Sequence, residues 1–488
     1  MPHRTFCSIV PPYVLEALAT SGDPVLEERA RETLRHDEAV RASRRVDPAV
    51  RLGERAATAP KRSRVERGTA EAPSRVIYDA KRTQTLPGTQ VRAEGDAPTK
   101  DEAADQAYDG LGATWELFQE AYDRNSLDDK GLAMLATVHY GKNYDNAFWN
   151  GSQMVFGDGD GEVFLGFTRS IDVIGHELAH GVTQYTSGLN YEGQSGALNE
   201  SVSDVFGVLV KQRALGQDAA EADWLIGADL LAPGVKGRAL RDMANPGTAY
   251  DDPRLGKDPQ PAHMDDFVDT DDDNGGVHIN SGIPNRAFHL VATTLGGKAW
   301  EDAGEIWYAA ITGDIKADCD FATFARLTHE AAVAQHGADS EQAKAVAAAW
   351  VAVGVKAAEA PKPRPRTRKA KKAADVSDAP KEPAPDQPDV PVSAEVSVRR
   401  TGGFAGLTKE RTVTLGELPT KDTRAWQSLL AGPRLQALAS ARPEQEQGHP
   451  DGYTYVVTCD RPEVTVRLPE PALPDKVRGL FDRTLDQP

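Results

Sequence analysis

An α+β protein of several domains is what the sequence predicts, and three observations predict it. Polar residues between positions 176 and 204 recur at four-residue, helical spacing. Four segments near the C-terminus alternate with the strand period: Glu395-Val-Ser-Val-Arg, Arg411-Thr-Val-Thr-Leu, Tyr453-Thr-Tyr-Val-Val and Glu463-Val-Thr-Val-Arg-Leu. Composition breaks sharply at two places, and 488 residues exceed what one core usually serves.

In chain order, residues 24–50 are charged and compatible with a helix. Residues 51–74 are rich in Arg, Ala and Pro without apolar periodicity, which predicts an exposed linker open to proteolysis. Asp105 to Leu117 and Ala197 to Val210 read as helices. Glu341 to Val355 reads as a buried helix rich in Ala, Val and Trp. From Lys356 the chain turns basic and proline-rich, then acidic to near Val390. Such a stretch cannot bury a core and predicts an extended linker. A basic patch for an anionic surface is the alternative, which the adjoining acidic block opposes. Order resumes near Ser393, with helices over Thr423–Leu430 and Asp475–Leu485.

The formal charge of −18 argues against nonspecific nucleic-acid binding. No apolar run approaches a membrane span. Cys7, Cys319 and Cys459 are too scattered for a disulfide framework or a cysteine metal site. Residues 1–20 lack the charged-then-apolar pattern of a secretory signal.

Chemistry concentrates in three clusters. The first is Gly175-His-Glu-Leu-Ala-His-Gly181, an H-E-x-x-H. His176 and His180 share one helix face and can grip one zinc ion. Glu177 can reach a water at the same metal. The plainer reading is an amphipathic helix with two surface histidines. Glu200 offers a third ligand. Asp204, four residues on, can accept the free ring N–H of one histidine, and Asn199 that of the other. The third cluster, Asp273-Asn-Gly-Gly-Val-His278, presents His278 from a glycine loop with Asp273 to orient it. The acidic run from Asp265 to Asp273 reads as a solvated or calcium-binding loop.

From about Arg75 to Val355 these clusters, in this order, resemble the thermolysin family of zinc metallopeptidases. Tyr144 to Gly161 resembles that family's substrate-edge strand and following turn. The resemblance implies two lobes, 75–175 mixed and strand-rich, and 176–355 helical from the zinc helix onward. It implies one zinc on His176, His180 and Glu200. Glu177 would act as general base and then acid, and Tyr191 and His278 as donors to the oxyanion. Asn146 and Ala147 would bind peptide main chain and Arg241 a substrate carbonyl. Phe164, Phe167, Val173, Ile226, Leu230 and Leu240 would line a pocket selecting a bulky hydrophobic residue after the cleaved bond. Ordinary core packing is the alternative for these six. Asp172, Asp223 and Asp229 match calcium-binding positions. Lys211 and Ala228 stand where further carboxylates are expected, so the family's double calcium site is expected to be lost, a single calcium site being the alternative.

Two further segments carry resemblances. Cys7-Ser-Ile-Val-Pro-Pro-Tyr13-Val-Leu resembles the short propeptide of protealysin-like members. Val398-Arg-Arg-Thr-Gly-Gly-Phe-Ala-Gly406 resembles emfourin, an inhibitor associated with such peptidases. Together they imply propeptide and linker over 1–74, a charged linker over 356–392, and an inhibitor-like domain over 393–488. A substrate- or surface-binding accessory domain is the alternative for the last. The expected protein is a monomeric zinc endopeptidase made as a zymogen. It would act on peptides or proteins and be secreted without a standard signal, cytoplasmic action being the alternative. A catalytically silent binding or regulatory protein on the same fold is the competing class. Intact Glu177, His278 and three ligands oppose it.

Overall fold

The structure is a computed structural model that describes residues 7–45, 72–358, 390–402, 409–418, 420–430, 453–461, 463–469, 473 and 475–485. The chain divides into two compact units, residues 1–365 and 366–488.

The first unit opens with β1 (Cys7–Ser8), α1 (Pro12–Leu18) and α2 (Pro24–Arg45). Pro12 starts α1, where a missing N–H costs no helical hydrogen bond. Asp23 Oδ1 accepts from the Val25 N–H, 2.9 Å away, at the start of α2. Next come β2 (Arg75–Asp79), β3 (Thr89–Ala93), α3 (Glu102–Tyr122), β4 (Met134–Val138), β5 (Ala147–Trp149) and β6 (Met154–Phe156). One sheet runs β1-β5-β6-β4-β2-β3. β1 lies antiparallel to β5, Cys7 opposite Trp149 and Ser8 opposite Phe148. The start of the chain therefore covers a sheet edge that would otherwise be open to another strand.

The rest of the unit is mainly helical: α4 (Ile171–Tyr185), α5 (Gly193–Leu215), the pair β7 (Leu225–Ile226) and β8 (Arg241–Asp242), the pair β9 (Asp251–Asp252) and β10 (Gly256–Lys257), then α6 (Asp273–Asn280), α7 (Gly282–Leu295), α8 (Asp302–Thr312), α9 (Phe321–His336) and α10 (Glu341–Ala352). Trp307 and Trp350 stack with centroids 6.2 Å apart, joining α8 to α10. One apolar core runs from Ile9 and Val10 through α3 and α4 to α10. α4 and α5 approach closely because Gly207 carries no side chain. A Cβ there would sit 2.5 Å from the Asp172 carbonyl oxygen. That approach sets the two polar helix faces against each other.

The second unit is a four-stranded antiparallel sheet of β11 (Glu395–Gly402), β12 (Lys409–Thr414), β13 (Tyr453–Asp460) and β14 (Glu463–Pro469), ordered β12-β11-β13-β14. Helices α11 (Thr420–Leu430) and α12 (Asp475–Leu485) pack together through the stacked rings of Trp426 and Phe481. Trp426 Nε1 donates to Thr484 Oγ1 at 3.0 Å. The linkers expected at 51–74 and 356–392 lie largely outside the described residues, as do residues 403–406 of the glycine-rich motif.

His139 joins three parts of the first unit. Its ring meets Asp158 Oδ1 at 2.6 Å and Asp101 Oδ2 at 2.9 Å, and Asp101 caps α3. Hydrogen bonding to Asp158, then to Asp101, outweighs burial and raises the imidazole pKa to about 9. A folded pKa above the unfolded value stabilises fully below about pH 6.5 and is lost as pH rises through 9. We expect thermal stability to fall across that window by roughly 1–2 kcal/mol, allowing for partial solvent screening. His139→Gln should flatten the fall, and differential scanning calorimetry from pH 6 to 10 measures it.

Candidate active site

α4 and α5 bring His176, His180 and Glu200 together, fully buried, with their ligand atoms all within 4.8 Å of one another. His176 Nδ1 meets Asp204 Oδ1 at 2.8 Å, and His180 Nδ1 meets Asn199 Oδ1 at 2.9 Å. The Asn199 amide is oriented by its own donation to Leu189 O. Acceptors at both Nδ1 atoms place the protons there and leave both Nε2 atoms as lone pairs. Those two Nε2 atoms face each other at 3.0 Å, with the Glu200 carboxylate 3.5–3.6 Å away. Facing lone pairs beside a carboxylate make no hydrogen bond among themselves but fit a cation. Glu177 Oε1, buried close by, has no hydrogen-bond partner among the described residues. Two imidazoles and a carboxylate match zinc's donor preference, so the residues fit that ion.

Electrostatics agree. Burial, with His176 and His278, overrides Glu200 and lowers the His180 pKa to about 4, leaving it neutral for ligation. Burial opposes ionisation of Glu200, but His278, His180 and His176 outweigh it and take its carboxyl to about 2. Burial and the Glu200 charge push the Glu177 carboxyl well above its usual range. Its Oε2 accepts from the Trp149 N–H at 2.9 Å, anchoring it to β5.

His278 does not come from a loop, as its glycines suggested. It lies on α6, whose start is wound left-handed at Asp273, Asn274, Gly275 and Gly276, with φ from 51° to 82°. The reversed turn folds the Asp273 carboxylate back onto its own helix. Oδ2 accepts from the His278 N–H at 2.8 Å, and Oδ1 meets His278 Nδ1 at 2.6 Å. Burial opposes the charged imidazole, but Asp273 and Glu200 raise its pKa overall. Tyr191 OH lies 3.1 Å from His278 Nε2 and donates to Glu200 Oε1. Both groups thus point at the histidine–glutamate cluster.

Spacing did not disclose several participants. Ser203 Oγ lies 3.0 Å from His180 Nδ1, and Asn285 Nδ2 donates to Asp204 Oδ2 at 2.8 Å. Ser203 follows Asn199 by four residues, so helical spacing could have flagged it. Asn285 left no local signal. Arg241 donates through Nε and Nη2 to Asp204 at 2.9 and 2.8 Å, and through Nη1 to the Ile9 carbonyl at 3.2 Å.

The N-terminal segment packs against the helix that carries His176 and His180 and bonds residues beside it. Ile9 N–H donates to Ala147 O at 3.1 Å. Asn146 accepts from Val10 N–H at 2.9 Å and donates to Val10 O at 3.2 Å and to Asp37 Oδ2 at 2.9 Å. Arg29 makes a two-point pair with Asp145, and Tyr144 OH donates to Asp37. Phe164, Phe167, Val173, Ile226, Leu230 and Leu240 are all buried, in the same core cluster as Ile9 and Val10. Leu240 adjoins Arg241, and its N–H donates to Ile226 O.

At the expected calcium positions a lysine intervenes. Lys211 Nζ stands 2.9 Å from Asp223 and 3.4 Å from Asp172. Burial opposes its charge, but Asp172 and Asp223 outweigh that and raise its pKa. Asp229 is exposed.

The chain shares 50% identity over 329 residues with an extracellular metalloprotease of Pectobacterium carotovorum subsp. carotovorum, covering 67% of this chain and 91% of that one. The chain belongs to the thermolysin family of metallopeptidases. Within that family, residues 63–184 match the thermolysin metallopeptidase catalytic domain and residues 187–355 its alpha-helical domain. Residues 7–45 match the protealysin propeptide and residues 398–485 match emfourin. Protease PrtS of Photorhabdus is 49% identical, covering 67% of this chain and 86% of that one. The structure of the protealysin precursor of Serratia proteamaculans superposes with a TM-score of 0.64 at 52% identity, covering 72% of this chain and 99% of that one. The chain is a thermolysin-family metalloprotease that carries a propeptide and an emfourin domain.

Two expectations follow. Asp204→Asn removes the carboxylate holding His176 and should lower zinc affinity about 10–100-fold, read by competition with a chromophoric chelator. Lys211→Ala leaves Asp172 buried without its cation and should destabilise by about 3–5 kcal/mol, read by urea denaturation.

Proposed function

We propose that this metalloprotease is a zinc-dependent endopeptidase made as a latent precursor, hydrolysing peptide bonds before bulky hydrophobic residues. The donor set carries the reading: His176, His180 and Glu200 converge, with Glu177 beside them. A zinc ion on these three ligands would polarise the peptide carbonyl and make water a nucleophile at neutral pH. Glu177, its pKa raised by burial, takes the proton of the attacking water and passes it to the leaving amine. Tyr191 and His278, the latter oriented by Asp273, donate to the oxygen of the tetrahedral intermediate. Asn146 and Ala147 hold substrate main chain as a strand against β5, and Arg241 holds the carbonyl of the first residue after the cut. The six-residue apolar pocket takes that residue's side chain.

Latency follows from the same contacts. Ile9 and Val10 use the groups a substrate needs, so the propeptide and the substrate exclude each other. Cleavage in the linker between α2 and β2 is the activating step. The second restraint is the emfourin unit, whose tether keeps its effective concentration at about millimolar if the linker has suitable reach. Lys211 replaces metal between Asp172 and Asp223, so we assign no double calcium site there. Export fits the extracellular metalloprotease among the relatives.

Glu177→Gln should cut peptide hydrolysis at least about 10²–10⁴-fold while zinc content stays at one ion. Loss of zinc together with activity would remove Glu177 from its catalytic role. Deleting residues 391–488 should raise the rate on short peptides. An unchanged rate would exclude inhibition in cis.

A further inference from the structure

We propose that the propeptide is bound as a substrate, with the Ser8–Ile9 peptide bond at the reacting position, and that the enzyme cuts this bond in its own chain. The inference rests on the endopeptidase reading above. It names a second processing point, distinct from the linker.

Direction and register carry the proposal. β1 runs antiparallel to β5 and also packs against the H-E-x-x-H helix α4. Ile9 N–H bonds Ala147 O. In an antiparallel ladder, residues alternate between bonding the partner strand and facing away from it. Ser8, one residue before Ile9, therefore turns its carbonyl away from β5. Cys7 lies opposite Trp149, whose N–H is held by the Glu177 carboxylate, so Glu177 lies alongside residues 7–9. On the other side, Arg241 grips the Ile9 carbonyl and Asn146 makes both bonds to Val10. Ile9 is fully buried among apolar residues. A bulky hydrophobic residue therefore stands immediately after the bond presented beside Glu177.

The step is a hydrolysis. The bond from the Ser8 carbonyl carbon to Ile9 N breaks, and water supplies hydroxyl to the carbon and hydrogen to the nitrogen. The new Ile9 amine does not leave. Residues 9–45 remain tied to the body by Val10–Asn146, Arg29–Asp145 and Asp37–Asn146. Cleavage therefore trims the segment ending at Ser8 without activating the enzyme, and the trapped amine favours resynthesis, so accumulation is slow.

The test uses the full chain loaded with zinc. Intact mass and N-terminal sequencing should reveal a species beginning at Ile9, growing with first-order kinetics at a rate unchanged by tenfold dilution. Glu177→Gln and Ile9→Asp should each lower its rate at least tenfold, and Ile9→Leu should retain it. A readout independent of turnover uses Glu177→Gln protein with ¹³C-carbonyl serine and ¹⁵N-isoleucine. Ser–Ile pairs occur at 8–9 and 170–171, giving one probe and one internal reference. Zinc should shift the Ser8 carbonyl resonance more than that of Ser170. Mature enzyme active on added peptides but an intact Ser8–Ile9 bond and an unmoved Ser8 signal would overturn the inference and leave the endopeptidase reading standing. A rate proportional to protein concentration would overturn cleavage in cis. No hydrolysis of any peptide would instead remove the reading on which it rests.

Discussion

The carboxylate of Asp204 is the constraint on which the site depends. It is fully buried and receives His176 Nδ1, two arms of Arg241 and the Asn285 amide. Burying a charge is costly unless it is paired and fully hydrogen-bonded, and four donors meet that condition. Burial opposes its ionisation, yet Arg241 and His176 hold its pKa far below the usual range, so it stays charged. One side chain thus fixes the tautomer of the His176 imidazole and the position of the guanidinium that grips the Ile9 carbonyl. The His176–His180–Glu200 cluster and the groups that hold residues 9 and 10 are aligned through it.

The propeptide exploits this alignment. It adds a strand to the open edge of the sheet and occupies Asn146 and Arg241 with main-chain groups. Its affinity is reinforced some thirty residues later by α2, where Asp37 reaches the same Asn146 amide and His36 packs against Tyr140 and Tyr144. Occupying the cleft with a peptide backbone requires no special inhibitory chemistry. It requires only that the occupant be held by more contacts than a passing substrate can make. Lys211 illustrates the same economy elsewhere: one ammonium on the body bridges Asp172 and Asp223.

The convergence of His176, His180 and Glu200 is legible in the sequence because its geometry is local. Four-residue spacing puts His176 and His180 on one helix face, and Glu200 and Asp204 on another. The recognised motifs then made the membership and two-lobed fold readable. The C-terminal sheet was legible from alternation, and α12 begins and ends at the residues its periodicity marked. What spacing could not supply is tertiary. The Arg241–Ile9 bond spans 232 positions and the Asp37–Asn146 bond 109. Nothing local in a charged helix marks Asp37 for burial against a cleft residue. The left-handed start of α6 reads as a loop in the sequence because glycines permit several turns, and only the Asp273 carboxylate closing on His278 selects this one. The six apolar residues named from the resemblance are buried in one cluster with Ile9 and Val10.

Competition between a cleft ligand and the chain's own N-terminus tests the central claim most directly. Hydrogen exchange at Ile9 and Val10 should be slow in zinc-loaded full-length Glu177→Gln protein. A saturating peptidyl hydroxamate should raise it at both amides, by at least tenfold, because Asn146, Ala147 and Arg241 cannot serve two backbones. Saturation of the metal site by the hydroxamate with Ile9 and Val10 still protected would contradict the account.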